Sequence, residues 1–526
     1  MIKKLRTKQG RSDVNPWIIA VVVSIATFME VLDTTITNVS LTHIAGTLSA
    51  TQDESTWVLT SYLVSNGIIL PLSGWLADVI GRKRFFLLCI AGFTLASFAC
   101  GAAMSMGMLV IFRLIQGLAG GGLQPTQQAI ILDAFPPEKR GMVFGLTGIT
   151  LIAAPIIGPV LGGWITDNYN WRWIFFINIP VGILAFILVN ELVPDEPDKK
   201  AKGFKSVDYI GLGLIALALG SLQIMLDKGQ HEDWFDSNLI IGLCCISAAS
   251  MIFSIFWLLR QEDPVIELRL FKDRSFFIGS ILIFLTGFVL YSSSALLPLM
   301  VQAQFGYDAT LAGLVLSPGA IALVFLMPVA GGLVSHVQSR YLIAIGLVLC
   351  SAGMWYTSHV TMQTDYATFT WMRTIQVLGL PFLFIPTSAL AFQNVKKEQN
   401  NKASALFSLS RNMGGSIGIA LVIAYVARKM QVHQNYLVEH LSPYNPVYQD
   451  KIQQLSNSFM WRGFTALDSQ KLATGSVFRE MMNQAAILSY QDAFTVMTGV
   501  MMAAALMTLL LPKNNPKANG SAAMAH

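Results

Sequence analysis

Residues Gly74 to Arg84 read GWLADVIGRKR. One apolar run ends there and another begins, each near the roughly 20 residues that carry a helix across a bilayer. The stretch therefore turns the chain at a membrane surface. Gly74 and Gly81 let two helix ends approach closely, and Arg82, Lys83 and Arg84 place the turn on the cytoplasmic side. Asp78 stands between the glycines at the lipid boundary, where an unpaired carboxylate costs several kcal/mol and needs a cationic or helix-terminal partner. An ordinary basic turn explains the cations but not two glycines flanking an aspartate. The stretch reads as a latch.

The rest of the composition agrees with a membrane setting. Of 526 residues, 54% are hydrophobic and 12% charged, and the mean hydropathy is +0.56, too apolar for a soluble domain. Fourteen apolar runs begin near 17, 57, 85, 107, 141, 172, 208, 237, 276, 310, 341, 367, 404 and 492. The first follows a basic N-terminus but is long, contains Glu30 and Asp33, and lacks a convincing small-residue cleavage site. It is therefore expected to stay as a span, with both chain termini cytoplasmic. The net charge of +5 reflects the basic inner face and carries no nucleic-acid signal. Cys89, Cys100, Cys244, Cys245 and Cys350 all fall in apolar runs and suggest neither a disulfide nor a metal site.

Charged linkers divide the chain. Residues 1–194 form a first bundle, 207–258 an inserted helix pair, and 275–512 a second bundle containing a long outer segment over 428–490. The second bundle faintly repeats the first. Gly331 to Tyr341 aligns with the opening stretch and Met372 to Gln376 with Phe112 to Gln116, at nearly the same offset. The copy has Ser335 where the latch has Asp78, so the latch is asymmetric.

Several polar groups interrupt the apolar runs. Glu30 and Asp33 lie three apart on one helix face, where two carboxylates cannot both ionise cheaply, so the pair reads as a reversible proton site. Arg113 shares a face with Gln116, Gly117, Gly120 and Gly121, and it must look into protein or water. It is expected to hold the carboxylates in register until substrate or conformation moves it. Gly158, Pro159, Gly162 and Gly163 provide close packing and a flexible bend. Asp133 to Gly141, DAFPPEKRG, offers a second acid and base set for an inner gate. Arg373 and Arg411 add cations in later spans and, with Gln116, are assigned to a substrate cavity.

These stretches resemble the motifs of the major facilitator superfamily. Gly74 to Arg84 matches the loop between its second and third helices, and LVIFRLIQGLAGG from Leu109 its fourth-helix motif. GPVLGG from Gly158, WRWIFFINIPVG from Trp171, GSLQIMLDKG from Gly220 and SRNMGGSIG from Ser410 are similar to motifs of the fourteen-helix drug/proton antiporter branch. The resemblance is to EmrB-type multidrug efflux transporters. It implies an all-α membrane protein with fourteen spans, two six-helix bundles and an inserted pair. It also implies export of hydrophobic small molecules from the bacterial inner membrane, driven by the proton gradient without a cofactor. Asp33 is the first-helix residue the resemblance carries over; Glu30 rests on its spacing alone. Such transporters commonly work with a periplasmic adaptor and an outer-membrane channel.

Other classes fit less well. No repeated ring of polar groups suggests a channel, and His43, His336 and His359 stand apart without a catalytic or metal constellation. An importer shares the fold and is separated from an exporter mainly by Gly158 to Gly163. The segment 428–490 shows helical spacing over Val447 to Phe459 and Gln470 to Ala486. Its Leu455, Phe459, Trp461, Phe464, Leu472, Val477, Phe478 and Met481 form an expected docking face for the adaptor, or else a cap.

Overall fold

The computed structural model describes residues 14–194, 208–261, 264–334 and 336–508. Ser335, the Asp195 to Ser206 linker and the polar tail after Lys513 lie outside the described residues. The first part of the chain runs α1 (Pro16–Val39), α2 (Leu41–Thr47), α3 (Gln52–Ile80), α4 (Arg82–Gly101), α5 (Met106–Gly120) and α6 (Leu123–Ala134). It continues through α7 (Pro137–Asn168), α8 (Trp173–Phe176) and α9 (Asn178–Leu192), then the pair α10 (Tyr209–Lys228) and α11 (Asn238–Arg260). The last part is α12 (Arg274–Phe305), α13 (Ala309–Leu333), α14 (Ser339–Thr357), α15 (Tyr366–Leu378), α16 (Leu380–Ala391), α17 (Asn400–Val438), α18 (Pro446–Trp461) and α19 (Ala466–Met507).

Among the described residues, twelve helices are long and apolar enough to cross a membrane, against the fourteen spans expected. The remaining two long helices are α7, of 32 residues, and α19, of 42. The helices start where polar side chains satisfy their first amides. Asn15 caps α1, Thr51 and Glu54 make a reciprocal capping box on α3, and Asp273, Asp308 and Asp365 cap α12, α13 and α15. At Asp365 the Thr368 hydroxyl, then its amide, hold the carboxyl below its usual range.

Packing follows two sets. In the first, α1 lies along α7 and α9, and α3 along α5; in the second, α12 lies along α17 and α14 along α15, α16 and α19. The sets meet where α7 packs on α13 and α3 on α17. Both sets break a span at the same place, between α5 and α6 at Gly120–Gly122 and between α15 and α16 at Gly379. That shared break supports the duplication read from the sequence. The inserted α10 docks on α3, while α11 is the least buried of the twelve apolar helices.

The segment 428–490, expected to hold helices over Val447 to Phe459 and Gln470 to Ala486, is mostly helical, with breaks at 439–445 and 462–465. α17 continues to Val438 and α19 begins at Ala466, so the segment 428–490 consists of the end of α17, the start of α19, and α18 laid against α19. At 39 residues α17 is roughly 58 Å long, about twice the hydrocarbon thickness.

Candidate functional site

Asp33 is the centre of a sealed polar cluster. Arg113 Nη1 donates to its Oδ2 at 2.5 Å, Asn178 Nδ2 to its Oδ1 at 2.6 Å and Gln116 Nε2 to its Oδ1 at 3.1 Å. Arg113 also donates to Gln116 Oε1 at 2.8 Å and to the Val58 carbonyl at 3.1 Å, with its guanidinium 4.3 Å from the Tyr62 ring centre. Aspartate and arginine are both fully buried. A charge pair so enclosed persists only because hydrogen bonds satisfy the remaining lone pairs. Gln116 belongs to this cluster rather than to a cavity wall.

Glu30 goes elsewhere, so the expected carboxylate pair divides into two sites. Three residues along a helix turn the side-chain direction enough to give the two acids different neighbours. Asn66 Nδ2 donates to Glu30 Oε1 at 3.0 Å and the Tyr62 hydroxyl donates to it at 3.4 Å, while Oε2 is buried with no hydrogen-bond partner. Tyr62 thus touches both sites, with its ring under Arg113 and its hydroxyl on Glu30. Glu30 lines a cavity of about 530 Å³ between the two helix sets. From Glu30 and Gln124 the cavity reaches Asn38, at the end of α1, and Thr56, at the start of α3, so it runs toward the end opposite Gly81.

The opposite end is shut. A Cβ on Gly74 would lie 2.7 Å from the Asn401 carbonyl oxygen, so α3 and α17 touch backbone to backbone there. Gly81 joins α3 to α4 at φ +96°, a conformation that disfavours other residues. Asn401 Nδ2 donates to Asp78 Oδ1 at 2.6 Å, and its own Oδ1 accepts from Arg82 Nε at 2.6 Å. Arg82 also pairs with Asp133, whose other oxygen accepts from Asn400 Nδ2 at 2.7 Å. The latch therefore spans both helix sets through Asn400 and Asn401, with the acid of the DAFPPEKRG stretch included. Gly158 and Gly162 pack onto Thr35 and Ile36 of α1, where a Cβ would come within 2.0 Å of Thr35 Oγ1 and 3.0 Å of the Ile36 oxygen. Pro159 stands between them inside α7, and Gly163 is buried beside them.

The other cations assigned to the cavity do not line it. Arg373 donates to Ser294 Oγ at 2.6 Å, Ser293 Oγ at 2.9 Å and Gln376 Oε1 at 3.1 Å. Arg411 donates to Gln124, a lining residue, and so stands one side chain behind the wall. Lys228 is the last residue of α10 and is buried.

The residues that sequence reading missed are neutral amides and a tyrosine: Tyr62, Asn66, Asn178, Asn400 and Asn401. Their shared signal is an amide or hydroxyl inside or beside an apolar run, a costly placement unless it has a partner. Asn178 lay within the quoted WRWIFFINIPVG stretch, whose Trp171 and Phe175 are buried and whose Trp173 is exposed.

Comparison with known proteins follows the same lines. The family model of the Major Facilitator Superfamily matches residues 23–419. The multidrug export protein EmrB of Escherichia coli (strain K12) is 35% identical, over 92% of this chain and 93% of that protein. The fatty acid resistance protein FarB of Neisseria gonorrhoeae is 36% identical, over 84% of this chain and 87% of that one. A crystal structure of a double-tryptophan mutant of XylE shares the fold, with a TM-score of 0.62 at 14% identity and coverage of 96% and 98%.

Proposed function

The chain belongs to the major facilitator superfamily as an EmrB-type transporter, not an enzyme, and from that premise we propose how it couples protons to export. It has fourteen spans, with 1–194 and 275–512 forming two bundles about the cavity and 207–258 an inserted pair. The cation-rich end with Gly74 to Arg84 faces the cytoplasm, as do both termini, and the membrane is the bacterial inner membrane. The conformer described is then outward-facing. The observation that carries this reading is the shut latch at one end of a cavity that reaches toward the other.

The chemistry follows from the buried pair. A proton arriving from the outer side on an Asp33 oxygen cancels the charge that holds Arg113, leaving the arginine on Gln116 and the Val58 carbonyl. The loosened contact lets α1 and α5 shift, the latch opens, and the cavity turns inward. Release of the proton to the cytoplasm restores the pair as substrate enters, so protons move in while substrate moves out. No cofactor is needed. Differences of a few kcal/mol between conformers suffice for such a cycle.

The prolonged α17, α18 and α19 are the docking platform for a periplasmic adaptor leading to an outer-membrane channel. Val477 and Met481 are buried and unavailable, but Trp461, Phe464, Leu472 and Phe478 are exposed. Deleting about residues 440–485 should abolish adaptor co-purification and whole-cell resistance while pH-driven flux in vesicles persists. Undiminished adaptor capture would reduce the platform to a cap. A second reading is proton-coupled export or import of a specific metabolite or fatty acid by the protein acting alone, of which the fatty acid is favoured by the name of FarB. The direction of drug flux in everted vesicles under an imposed pH gradient tests the main reading: uptake driven by inward acidity supports export, and proton-coupled movement the other way makes the protein an importer.

A further inference from the structure

Among the described contacts, the coupling pair has no direct polar route to the second helix set. Asp33 and Arg113 take their hydrogen bonds from Gln116 of α5, Asn178 of α9 and the Val58 carbonyl of α3, all in the first set. The acid about one turn back along α1 is placed differently. Glu30 stands beside Gln124 of α6 in the cavity wall, and Gln124 accepts a hydrogen bond from Arg411 of α17, in the second set. The charges of Glu30 and Arg411 act on each other across that amide.

Arg411 is anchored in one helix set and bonded to the other. A Cβ on Gly287 would lie 2.1 Å from the Arg411 carbonyl oxygen, and one on Gly414 2.0 Å from the Phe284 oxygen, so its backbone is packed tightly on α12. Its side chain heads a row of polar contacts that α17 makes with the first set. At helical spacing below it come Ser408, whose hydroxyl donates to Gln128 Oε1 at 3.5 Å, then Asn401 on Asp78 and Asn400 on Asp133. The row runs from the shut latch up to the cavity and ends at Glu30.

The charge of Glu30 decides how firmly that end holds. An ionised carboxylate only accepts, so the Gln124 amide turns its NH2 toward Glu30 and its oxygen to Arg411, and carboxylate, amide and guanidinium attract in sequence. With a proton on Glu30 the guanidinium is left on a neutral amide, and its Nε already lacks a hydrogen-bond partner. A buried cation without a counter-charge is costly, and parting α17 from α6 returns it to water. The other titratable groups about Glu30 are Tyr62 of α3 and Cys89 of α4, with Asp33 farther along α1 and Asp227 and His231 in the same cavity wall.

We infer that Arg411 is a positioning residue that carries the charge state of Glu30 from the first helix set to the second, holding α6 and α17 together while Glu30 is ionised and releasing them when it is protonated. The one covalent change is a proton passing from hydronium in the cavity to a Glu30 oxygen. The place of this step in transport rests on the export reading, but its test needs neither gradient nor drug. The full-length protein in nanodiscs carries a cysteine at the 74–84 end, with Cys244→Ser and Cys245→Ser, and is labelled with a maleimide as the pH is lowered. Each rate is divided by that of the same unfolded protein at the same pH. In the parent, labelling should rise as the pH falls. Glu30→Gln should raise it at least about threefold at the alkaline end and flatten the rise, Arg411→Gln should do the same, and the double variant should be no more open than either alone. Arg411→Lys, which keeps the charge, should retain the rise. Additive effects of Glu30→Gln and Arg411→Gln, or a parental profile in Glu30→Gln, overturn the inference, since a merely structural arginine acts independently of Glu30. Thermal melts identify variants that have lost the fold, and if Arg411→Gln is among them the Glu30→Gln profile decides alone. Proton-driven export alongside an overturning result leaves the export reading standing, whereas the expected labelling without proton-driven flux removes export and keeps the link.

Discussion

Two buried arginines occupy matching places in the two halves and keep different company. Arg113 and Arg373 each stand three residues before a glutamine near the break in a span, and each Nη1 donates to that glutamine, at 2.8 and 3.1 Å. Beyond this the halves part. Arg113 faces the Asp33 carboxylate, whereas Arg373 faces the hydroxyls of Ser293 and Ser294. The duplicated scaffold thus places a carboxylate against its arginine in only one half. A serine hydroxyl does not ionise near neutral pH, so in the proposed cycle the first half couples protons and the second holds its arginine as a strut.

Stability should break this likeness most strongly. Arg113→Met strands a buried aspartate and should cost about 3–5 kcal/mol, whereas Arg373→Met leaves only neutral groups and should cost about 1–3 kcal/mol. Adding Asp33→Asn to Arg113→Met should recover much of the first loss. Unfolding of the purified variants in one detergent checks all three, and equal losses at the two arginines would make the halves equivalent.

The latch gives a smaller asymmetry. Asp78→Ala removes an acceptor for Asn401, and Asn401→Ala removes the bridge between Asp78 and Arg82. Each should raise labelling of a cysteine placed at the 74–84 end several-fold, with the fold retained, because a latch shifts an equilibrium between states of similar energy. Unchanged labelling would leave these contacts as packing only. The smallest effect concerns the turns themselves. Gly81→Ala meets no neighbour within 4 Å but must hold φ near +96°, so it should cost roughly 1–2 kcal/mol. Gly332→Ala, inside α13 near the corresponding end of the second half, has neither obstacle and should stay within about 0.5 kcal/mol of the parent. Melting of the two variants compares them directly.

What the sequence made legible was whatever is local. The apolar runs, the turn at Gly74 to Arg84, the Arg113 to Gln116 spacing and the close packing at Gly158 and Gly162 are set by neighbours a few residues away. The partners were not legible, because they are neutral and distant. Asn401 reaches Asp78 across the join between helix sets, and Asn178 reaches Asp33 from α9. Glu30 and Asp33 misled for a related reason, since spacing gives a shared face but not which helix packs against each part of it. The segment 428–490 was correctly read as helical, yet its polar stretches hid the continuity of α17 and α19 with the spans. Asp227 stands in GSLQIMLDKG, but its bond to Thr60 depends on α10 docking to α3, which no local pattern encodes.

The central claim is that coupling resides at Asp33 and its arginine. It is tested most directly by pH-gradient-driven drug flux in proteoliposomes carrying the parent, Asp33→Asn or Arg373→Gln, each first shown to be folded and inserted. The account predicts that Asp33→Asn loses gradient-driven flux while still exchanging drug for drug, and that Arg373→Gln remains driven. Gradient-driven flux at the parental rate in Asp33→Asn, or its selective loss in Arg373→Gln, would contradict it.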